Sequence, residues 1–404
     1  MSSSPQATAH SFNKILAHSK TSSRSRATGE PDDGTKKLRR LILVDGIPSS
    51  LDPTLRPRIW KILLRVNDLS ADNFLRYVAR GPCEVREKIR NDTFRTLATD
   101  KGFKERVRED MLVRLLDAFV WRNHDREEAS QLGFTYVQGM NVLAAPFLYT
   151  MPSEVEAFYC FAKFIEECCP LYVQPTLEGV HRGLKLLDRC LKIVDPELYA
   201  HLRSKNLSAE IYAFPSVLTL CACTPPLDQV LQLWDFLLAF GVHLNVLCVI
   251  AQLLLIRDDV MASSSPMRLL RTFPPLEALP VIGIAVTLVR DLPSELYDEL
   301  SLDAHSSIPL DIRNIPKTVF QDAAVMILCR WNAVATTLVD LMWRVTMVIQ
   351  GSPALSPQNK VYTPLLIGCA CLNTVAPPSE VLSPPHRCHH SGEIYCDSYG
   401  PKPV

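Results

Sequence analysis

A short segment of the chain, residues 89–95, contains an arginine preceded by a carboxylate at a spacing that brings the two together. Ile89, Asp92 and Arg95 recur every three residues. This spacing predicts that the three side chains lie along one flank of a helical turn, where Asp92 orients the guanidinium of Arg95. Taken alone, such a pair is more often a solvated surface ion pair that contributes about 0.2–0.5 kcal/mol.

A second segment, residues 136–141, combines a glutamine with a glycine just before an apolar run over residues 142–149. Gly139 permits a tight backbone and the close approach of a partner. The amide of Gln138 is an uncharged donor and acceptor, which suits holding a water in line for attack rather than deprotonating it. The alternative interpretation is a helix N-terminus at which Gln138 only satisfies backbone groups.

The two segments together, in this order, resemble the TBC domain family of Rab GTPase-activating proteins. The family motif I-x-x-D-x-x-R matches residues 89–95, and the motif Y-x-Q-G matches Tyr136, Gln138 and Gly139. The GTP hydrolysis that this family stimulates takes place in the active site of another protein. The resemblance therefore implies that Arg95 and Gln138 are catalytic groups supplied in trans, in a dual-finger scheme.

Two further motifs extend the resemblance to about residues 44–300. Residues 46–48 followed by 55–60 look like the opening element of the family, and residues 233–235 look like its third motif. There are two departures: the family often has a glycine where this chain has Thr54, and a basic residue where it has Gln232. Neither departure falls on the two finger positions.

The resemblance also implies the supporting residues and the partners of the site. Positions that orient the fingers or touch the GTPase would be Ile89, Asp92, Tyr136, Gly139 and Asn141. The chain would be an activator rather than an enzyme and would need no cofactor or metal, since the GTPase binds the GTP and Mg²⁺. Motifs for other chemistry are absent from the sequence, namely G-x-S-x-G, H-E-x-x-H and G-x-x-x-x-G-K.

Within the family, three segments look most like the fungal mitotic checkpoint subfamily, which restrains mitotic exit or septation: residues 89–95, 269–276 and 292–297. That likeness implies a second subunit that anchors the pair at spindle poles, and a cytoplasmic, cytoskeletal location. Two alternatives stay open, a scaffold that binds a GTPase without speeding hydrolysis and a Rab activator acting in membrane traffic. The presence of both finger residues argues against the scaffold.

The elements that must position these motifs are predicted to be helices throughout. Apolar residues recur at helical spacing in many segments, and strand patterns with hairpin turns are missing. The candidate helices are residues 55–66, 104–121, 155–168, 177–193, 197–205, 208–223, 227–240, 244–256 and 276–292. The sequence therefore predicts an all-α TBC domain over residues 41–310.

The two ends of the chain differ from the predicted domain in composition and in hydrophobic pattern. Residues 1–38 are rich in Ser, Thr, Lys and Arg, and this composition predicts a disordered arm without a secretory signal. Residues 311–404 form an atypical extension, predicted to be partly disordered, with one apolar stretch at 323–350. The histidines and cysteines of residues 386–396 match no zinc spacing.

Composition excludes several classes of function. The chain has 404 residues, of which 47% are hydrophobic, and 43 basic residues balance 43 acidic ones. No overall charge therefore attracts nucleic acid or an anionic membrane. The 13 cysteines lack paired metal spacing and favour a reducing compartment. Residues 236–256 carry no charge, but Gly241 divides them into two segments predicted to form a buried helical hairpin rather than a membrane span.

Overall fold

The structure, a computed structural model, describes residues 4–19, 33–127 and 136–303, and within these ranges every regular element is a helix. The predicted all-α class is confirmed. The α-helices are α1 Pro5–Ser19, α2 Asp33–Val44, α3 Leu55–Leu63, α4 Ala71–Ala79, α5 Arg86–Thr93, α6 Lys101–Arg106, α7 Glu109–Glu127, α8 Met140–Thr150, α9 Glu154–Lys163, α10 Glu178–Val194, α11 Pro196–Ser204, α12 Ala209–Tyr212, α13 Phe214–Leu218, α14 Leu227–Phe240, α15 Asn245–Leu255, α16 Arg257–Ala262, α17 Pro266–Leu270, α18 Ala278–Asp291 and α19 Ser294–Asp303. A π-helical turn, Phe164–Cys168, extends α9, and 3-10 turns cover Pro170–Tyr172 and Val242–Leu244.

Most predicted helices are found, and two long candidates are each split in two. The segment 208–223 is divided at Ala213 into α12 and α13. The segment 104–121 was expected to be a single helix, but the chain becomes extended at Val107, between α6 and α7. The side chain of Asp100 caps α6 by accepting a hydrogen bond from the backbone N–H of Phe103 at 2.8 Å. A helix this short ends easily at a β-branched residue, which loses side-chain freedom in a helix.

The centre of the core is a cluster of aromatic rings drawn from four parts of the chain. Trp60 of α3, Phe147 of α8, Phe164 of the π-turn and Trp234 of α14 pack with ring centroids 5.2–6.1 Å apart. All four side chains are fully buried. Because α8 passes through this cluster, the segment that precedes α8 is attached to a densely packed part of the core.

The two buried helices predicted on either side of Gly241 are present, but they pack mainly against α18 rather than against each other as a hairpin. α14 ends at Gly241, whose φ of +121° is a conformation that residues with a side chain rarely adopt, and the chain turns there into α15. Every residue of α15 from Asn245 to Leu254 is buried. Among the described residues, no helix is both long and apolar enough to cross a membrane.

The N-terminal arm differs from the expectation of disorder. Residues 5–19 form α1, and the buried side chains Thr8, Phe12 and Leu16 recur every four residues along its inner face. Residues 33–38 begin α2, in which Leu38 is also buried. The average composition of the arm hid this stripe, because three buried positions at helical spacing suffice to dock one helix.

The remaining sequence predictions for the ends of the chain lie outside the described residues. These are residues 20–32 of the arm, the last residues of the predicted domain, the apolar stretch 323–350 and the histidine-rich tail. The described residues belong to one compact unit, which contains both finger motifs.

Candidate functional site

The arginine motif lies at the C-terminal end of α5. Ile89 is fully buried where α5 packs against α7 and α8, so this motif position anchors the helix. The helix ends at Thr93, and Arg95 lies in the turn that follows, at residues 94–99. The prediction that all three motif residues share one helical turn is therefore wrong for Arg95, although its three-residue spacing from Asp92 still brings the two side chains together.

Arg95 and Asp92 form an ion pair whose two side chains differ greatly in solvent exposure. Nη2 of Arg95 donates to Oδ1 of Asp92. The Arg95 side chain is 54% exposed, whereas that of Asp92 is only 6% exposed. The carboxylate is thus a buried support, and the guanidinium that it holds remains open to solvent.

The second carboxylate oxygen of Asp92 is bound by the glutamine motif. Oη of Tyr136 donates to Oδ2 of Asp92 at 2.9 Å, and the Tyr136 ring is buried. Burial and the neighbouring Asp92 carboxylate raise the pKa of Tyr136, so the phenol keeps its proton and remains a donor. Because each oxygen of Asp92 has its own donor, the rotation of the carboxylate is fixed.

Asn141, in the first turn of α8, ties the two motifs together a second time. Its Oδ1 accepts from the backbone N–H of Gly139 at 3.1 Å, while its Nδ2 donates to Oγ1 of Thr96 at 2.8 Å. Nδ2 also lies 3.3 Å from the carbonyl oxygen of Asp92. Asn141 and Thr96 are both buried, so this buried network joins the turn after α5 to the start of α8.

Gly139 occupies a place that no other residue fits without strain. Its φ is +106°, and a Cβ atom built on it would lie 3.0 Å from the side chain of Leu218 in α13. Glycine is therefore required both for the backbone conformation and for the close packing. The glycine of the motif thus lets the start of α8 lie close to the side chain of Leu218.

Gln138 is exposed, in the turn between Tyr136 and Gly139. Its side chain makes no hydrogen bond to any described residue. The alternative in which Gln138 satisfies the helix N-terminus is not what the structure has, since the side chain of Asn141 takes that role at Gly139. The amide of Gln138 is left directed to solvent-accessible space beside the network.

The structure thus collects every predicted site residue around one buried network. Ile89, Asp92, Tyr136, Gly139 and Asn141 are buried, whereas Arg95 and Gln138 are exposed. Thr96 is a further member that sequence reasoning missed. A threonine four residues after an aspartate carries no signal of its own, because its role depends on Asn141, which is 45 residues away.

The other two matched motifs form a different arrangement, which is entirely buried. Arg56 of α3 donates through Nε and Nη2 to Asp235 of α14 at 2.9 Å, and Nε1 of Trp60 donates to Oδ1 of the same carboxylate at 2.7 Å. Arg56 and Asp235 are 179 positions apart in the chain. The opening motif and the third motif are therefore the two halves of one structural link.

No group of three or more histidine, cysteine, aspartate or glutamate residues is arranged to hold a metal ion within the part of the chain that the structure describes. The eight cysteines described there are all free thiols. Burial raises the pKa of the Cys83, Cys160 and Cys190 thiols to about 12, which leaves them protonated and inert.

Comparison with known proteins agrees with this description. The family model of the Rab-GTPase-TBC domain matches residues 53–261. Cell division control protein 16 of Schizosaccharomyces pombe is 46% identical over 286 residues, which are 70% of this chain and 93% of that protein. Mitotic check point protein BUB2 of Saccharomyces cerevisiae is 43% identical over 274 residues, 65% of this chain and 90% of that protein.

Solved structures agree on the fold. The Ypt/Rab-GAP domain of Gyp1p is 18% identical and superposes with a TM-score of 0.51, covering 72% of this chain and 99% of that domain. The Chlamydomonas flagellar RabGAP TBC domain is 17% identical with a TM-score of 0.50, covering 70% and 95%. With the family model spanning both finger motifs and the close relatives covering most of its length, the chain belongs to the TBC-domain family of Rab GTPase-activating proteins.

Proposed function

We propose that this protein stimulates GTP hydrolysis by a Ras- or Rab-type small GTPase, supplying Arg95 and Gln138 to the active site of that GTPase. The observation that carries the proposal is the arrangement of the network. One set of buried hydrogen bonds supports two exposed side chains, a guanidinium and an amide, whose chemistry suits phosphoryl transfer. Groups that are held by a rigid shell and still open to a partner are what a catalytic contribution in trans requires.

Arg95 supplies positive charge to the transition state. As the bond to the γ-phosphate breaks, charge develops on the bridging and γ-phosphate oxygens, and a lone GTPase lacks a full set of groups to neutralise it. A guanidinium stays protonated at any cellular pH and presents a rigid fork that matches two phosphate oxygens. Asp92 holds one edge of Arg95 in place, while the exposed remainder is free to engage the phosphates.

Gln138 positions the attacking water. Its carboxamide accepts a hydrogen bond from the water and donates to a phosphate oxygen or a backbone carbonyl, without taking a proton. Gly139 and Asn141 fix the backbone from which Gln138 projects, so that little backbone conformational entropy is lost when the side chain enters the GTPase site. Nucleotide and Mg²⁺ belong to the GTPase, and this chain contributes no cofactor.

Single-turnover hydrolysis tests the proposal. Each member of a panel of Ras- and Rab-type GTPases is loaded with GTP, and hydrolysis is followed with and without the purified chain. We expect a rate increase of about 10³- to 10⁵-fold for at least one member. Binding without any increase, with or without proteins that co-purify from cells, would instead establish the non-catalytic scaffold.

We further infer a role in restraining mitotic exit or septation, acting at spindle poles with a second subunit. The support is the identity with proteins named for cell division control and for the mitotic check point. The test is expression in S. pombe cells that lack Cell division control protein 16. We expect the wild-type chain to restore the timing of division and Arg95→Ala to fail. If the wild-type chain stimulates GTPases in vitro but does not rescue these cells, the alternative role in membrane traffic is favoured.

A further inference from the structure

A large aromatic side chain beside the arginine is unusually open to solvent. Phe94 is 66% exposed, the largest value among the exposed large hydrophobic side chains of the described residues. Leaving so much apolar surface in water costs free energy that folding would ordinarily recover by burying the ring. A single exposed Phe needs no explanation in general, but this one immediately precedes the residue assigned to catalysis.

The backbone around Phe94 is fixed by its neighbours in the turn. Its neighbours Thr93 and Thr96 are buried, and the hydroxyl of Thr96 donates to the carbonyl oxygen of Asp92 at 3.0 Å. Leu97, in the same turn, has a φ of +45°, which an L-residue adopts only where the surroundings enforce it. The turn is therefore held in one conformation, and that conformation presents Phe94 to solvent.

We propose that Phe94 is the apolar anchor with which this chain docks on its GTPase. The inference rests on the proposed function, because it takes the same partner that receives Arg95. Consecutive Cα atoms lie about 3.8 Å apart, so the exposed Phe94 ring is attached next to the exposed Arg95, within the area that a partner receiving Arg95 would cover. The occupant is the small GTPase itself, through an apolar recess at the edge of its nucleotide site.

The surroundings of Phe94 match the composition of an interface hot spot. The exposed residues that precede it on α5 are Glu87, Lys88, Arg90 and Asn91, which would form a polar rim around one buried ring. Hot spots are enriched in aromatic and arginine side chains at the centre of an interface. Phe94 and Arg95 would supply one of each from adjacent positions of one fixed turn.

Arg95 and Phe94 are expected to affect different kinetic quantities. Arg95 interacts chiefly with charge that exists only in the transition state, so it raises the maximal rate. Phe94 contacts the GTPase equally in the ground state and the transition state, so it lowers the concentration of this chain needed for half-maximal stimulation. Separate effects on these two quantities distinguish a docking residue from a catalytic one.

The test uses the full chain and the panel member that the wild-type chain stimulates most. Single-turnover hydrolysis is measured across a range of chain concentrations for the wild type, Phe94→Ala, Phe94→Leu and Arg95→Ala. Leu75→Ala is the matched control, since Leu75 is 58% exposed on α4, a helix that packs against α7 and α9 rather than against α5 or α8. Thermal unfolding of each variant checks the fold, which removal of an exposed side chain should leave intact.

We expect Phe94→Ala to raise the half-saturating concentration about tenfold or more, with the maximal rate within about twofold of wild type. Phe94→Leu should restore most of the affinity, and Leu75→Ala should change neither quantity. An unchanged half-saturating concentration for Phe94→Ala, or a loss confined to its maximal rate, would overturn the docking role while leaving the proposed function intact. A wild-type chain that neither binds nor stimulates any panel member would instead refute the proposed function, and with it the occupant assigned here.

Discussion

Two arginine–aspartate pairs in this molecule have nearly the same chemistry and opposite surroundings. In each, an aspartate binds an arginine and also accepts a hydrogen bond from an aromatic residue, Trp60 at Asp235 and Tyr136 at Asp92. Both members of the pair between Arg56 and Asp235 are buried. In the pair of Arg95 with Asp92, only the aspartate is buried.

The difference shows how one type of interaction serves structure in one place and function in another. Around Asp235, three donors from α3 surround the carboxylate, two on Arg56 and one on Trp60, and because the pair is buried its arginine is closed to any partner. Around Asp92, one edge of the arginine is held and the rest stays available. The same carboxylate that locks a buried arginine in place can present an exposed one.

The largest effect is expected from removing the exposed arginine. Arg95→Ala should lower the maximal stimulated rate about 10³-fold or more, since it deletes positive charge from the transition state. Binding of the GTPase and the melting temperature should change little. Arg95→Lys should also fail, because a lysine ammonium cannot reproduce the two-pronged geometry. The rates are measured by single-turnover hydrolysis. Near-normal rates for the lysine variant would argue against a phosphate contact, and the pair of Arg95 with Asp92 would then have only a structural role, like that of Arg56 with Asp235.

The buried pair is expected to show the reverse pattern. Burial raises the pKa of Asp235 and the guanidinium of Arg56 opposes that shift, so Arg56→Leu leaves a carboxylate in the core without its counter-charge. We expect a loss of about 3–5 kcal/mol in the free energy of unfolding, measured in denaturant. The matched control is Arg189→Leu, which breaks the exposed pair with Glu299 and should cost less than about 1 kcal/mol. Equal losses of unfolding free energy for the two variants would contradict a structural role for the buried pair.

A smaller effect is expected at the tyrosine that supports Asp92. Tyr136→Phe removes the donor at 2.9 Å from Oδ2 of Asp92 while keeping the ring. We expect a loss of about 1–3 kcal/mol in the free energy of unfolding and a fall of about tenfold in the maximal rate, because the carboxylate no longer holds one orientation. A fall in rate as large as that of Arg95→Ala would mean that Tyr136 acts directly on the substrate. No fall at all would mean that Asp92 does not position the arginine.

Sequence reasoning predicted the parts of the site that lie close together in the chain. The spacing of Asp92 and Arg95 and the glycine after Gln138 are local signals, but only the resemblance to the family gave them a role, because each segment alone also fits a surface ion pair or a helix N-terminus. Local periodicity likewise predicted α14 and the turn at Gly241. The exact end of α5 was missed, and Arg95 lies beyond it, because helix ends depend on packing that propensity does not encode.

The contacts that span long stretches of sequence could not be predicted in the same way. The link between Arg56 and Asp235 joins residues 179 apart, and the bond of Asn141 to Thr96 joins residues 45 apart. Nothing in either segment specifies its partner until the helices pack. The helix at Pro5–Ser19 was missed for a related reason, since its few apolar residues gain their free energy only against a core made elsewhere.

Complex formation with a transition-state analogue tests most directly that Arg95 acts in the active site of the GTPase. Affinity of the chain is measured for its GTPase bound to GDP, with and without aluminium fluoride, which completes a mimic of the transferring phosphoryl group. The wild type should bind at least about 10²-fold more tightly when the mimic is present. Arg95→Ala should lose that gain, and the surface control Arg189→Leu should keep it. An Arg95→Ala chain that gains as much affinity from the mimic as the wild type would contradict the account.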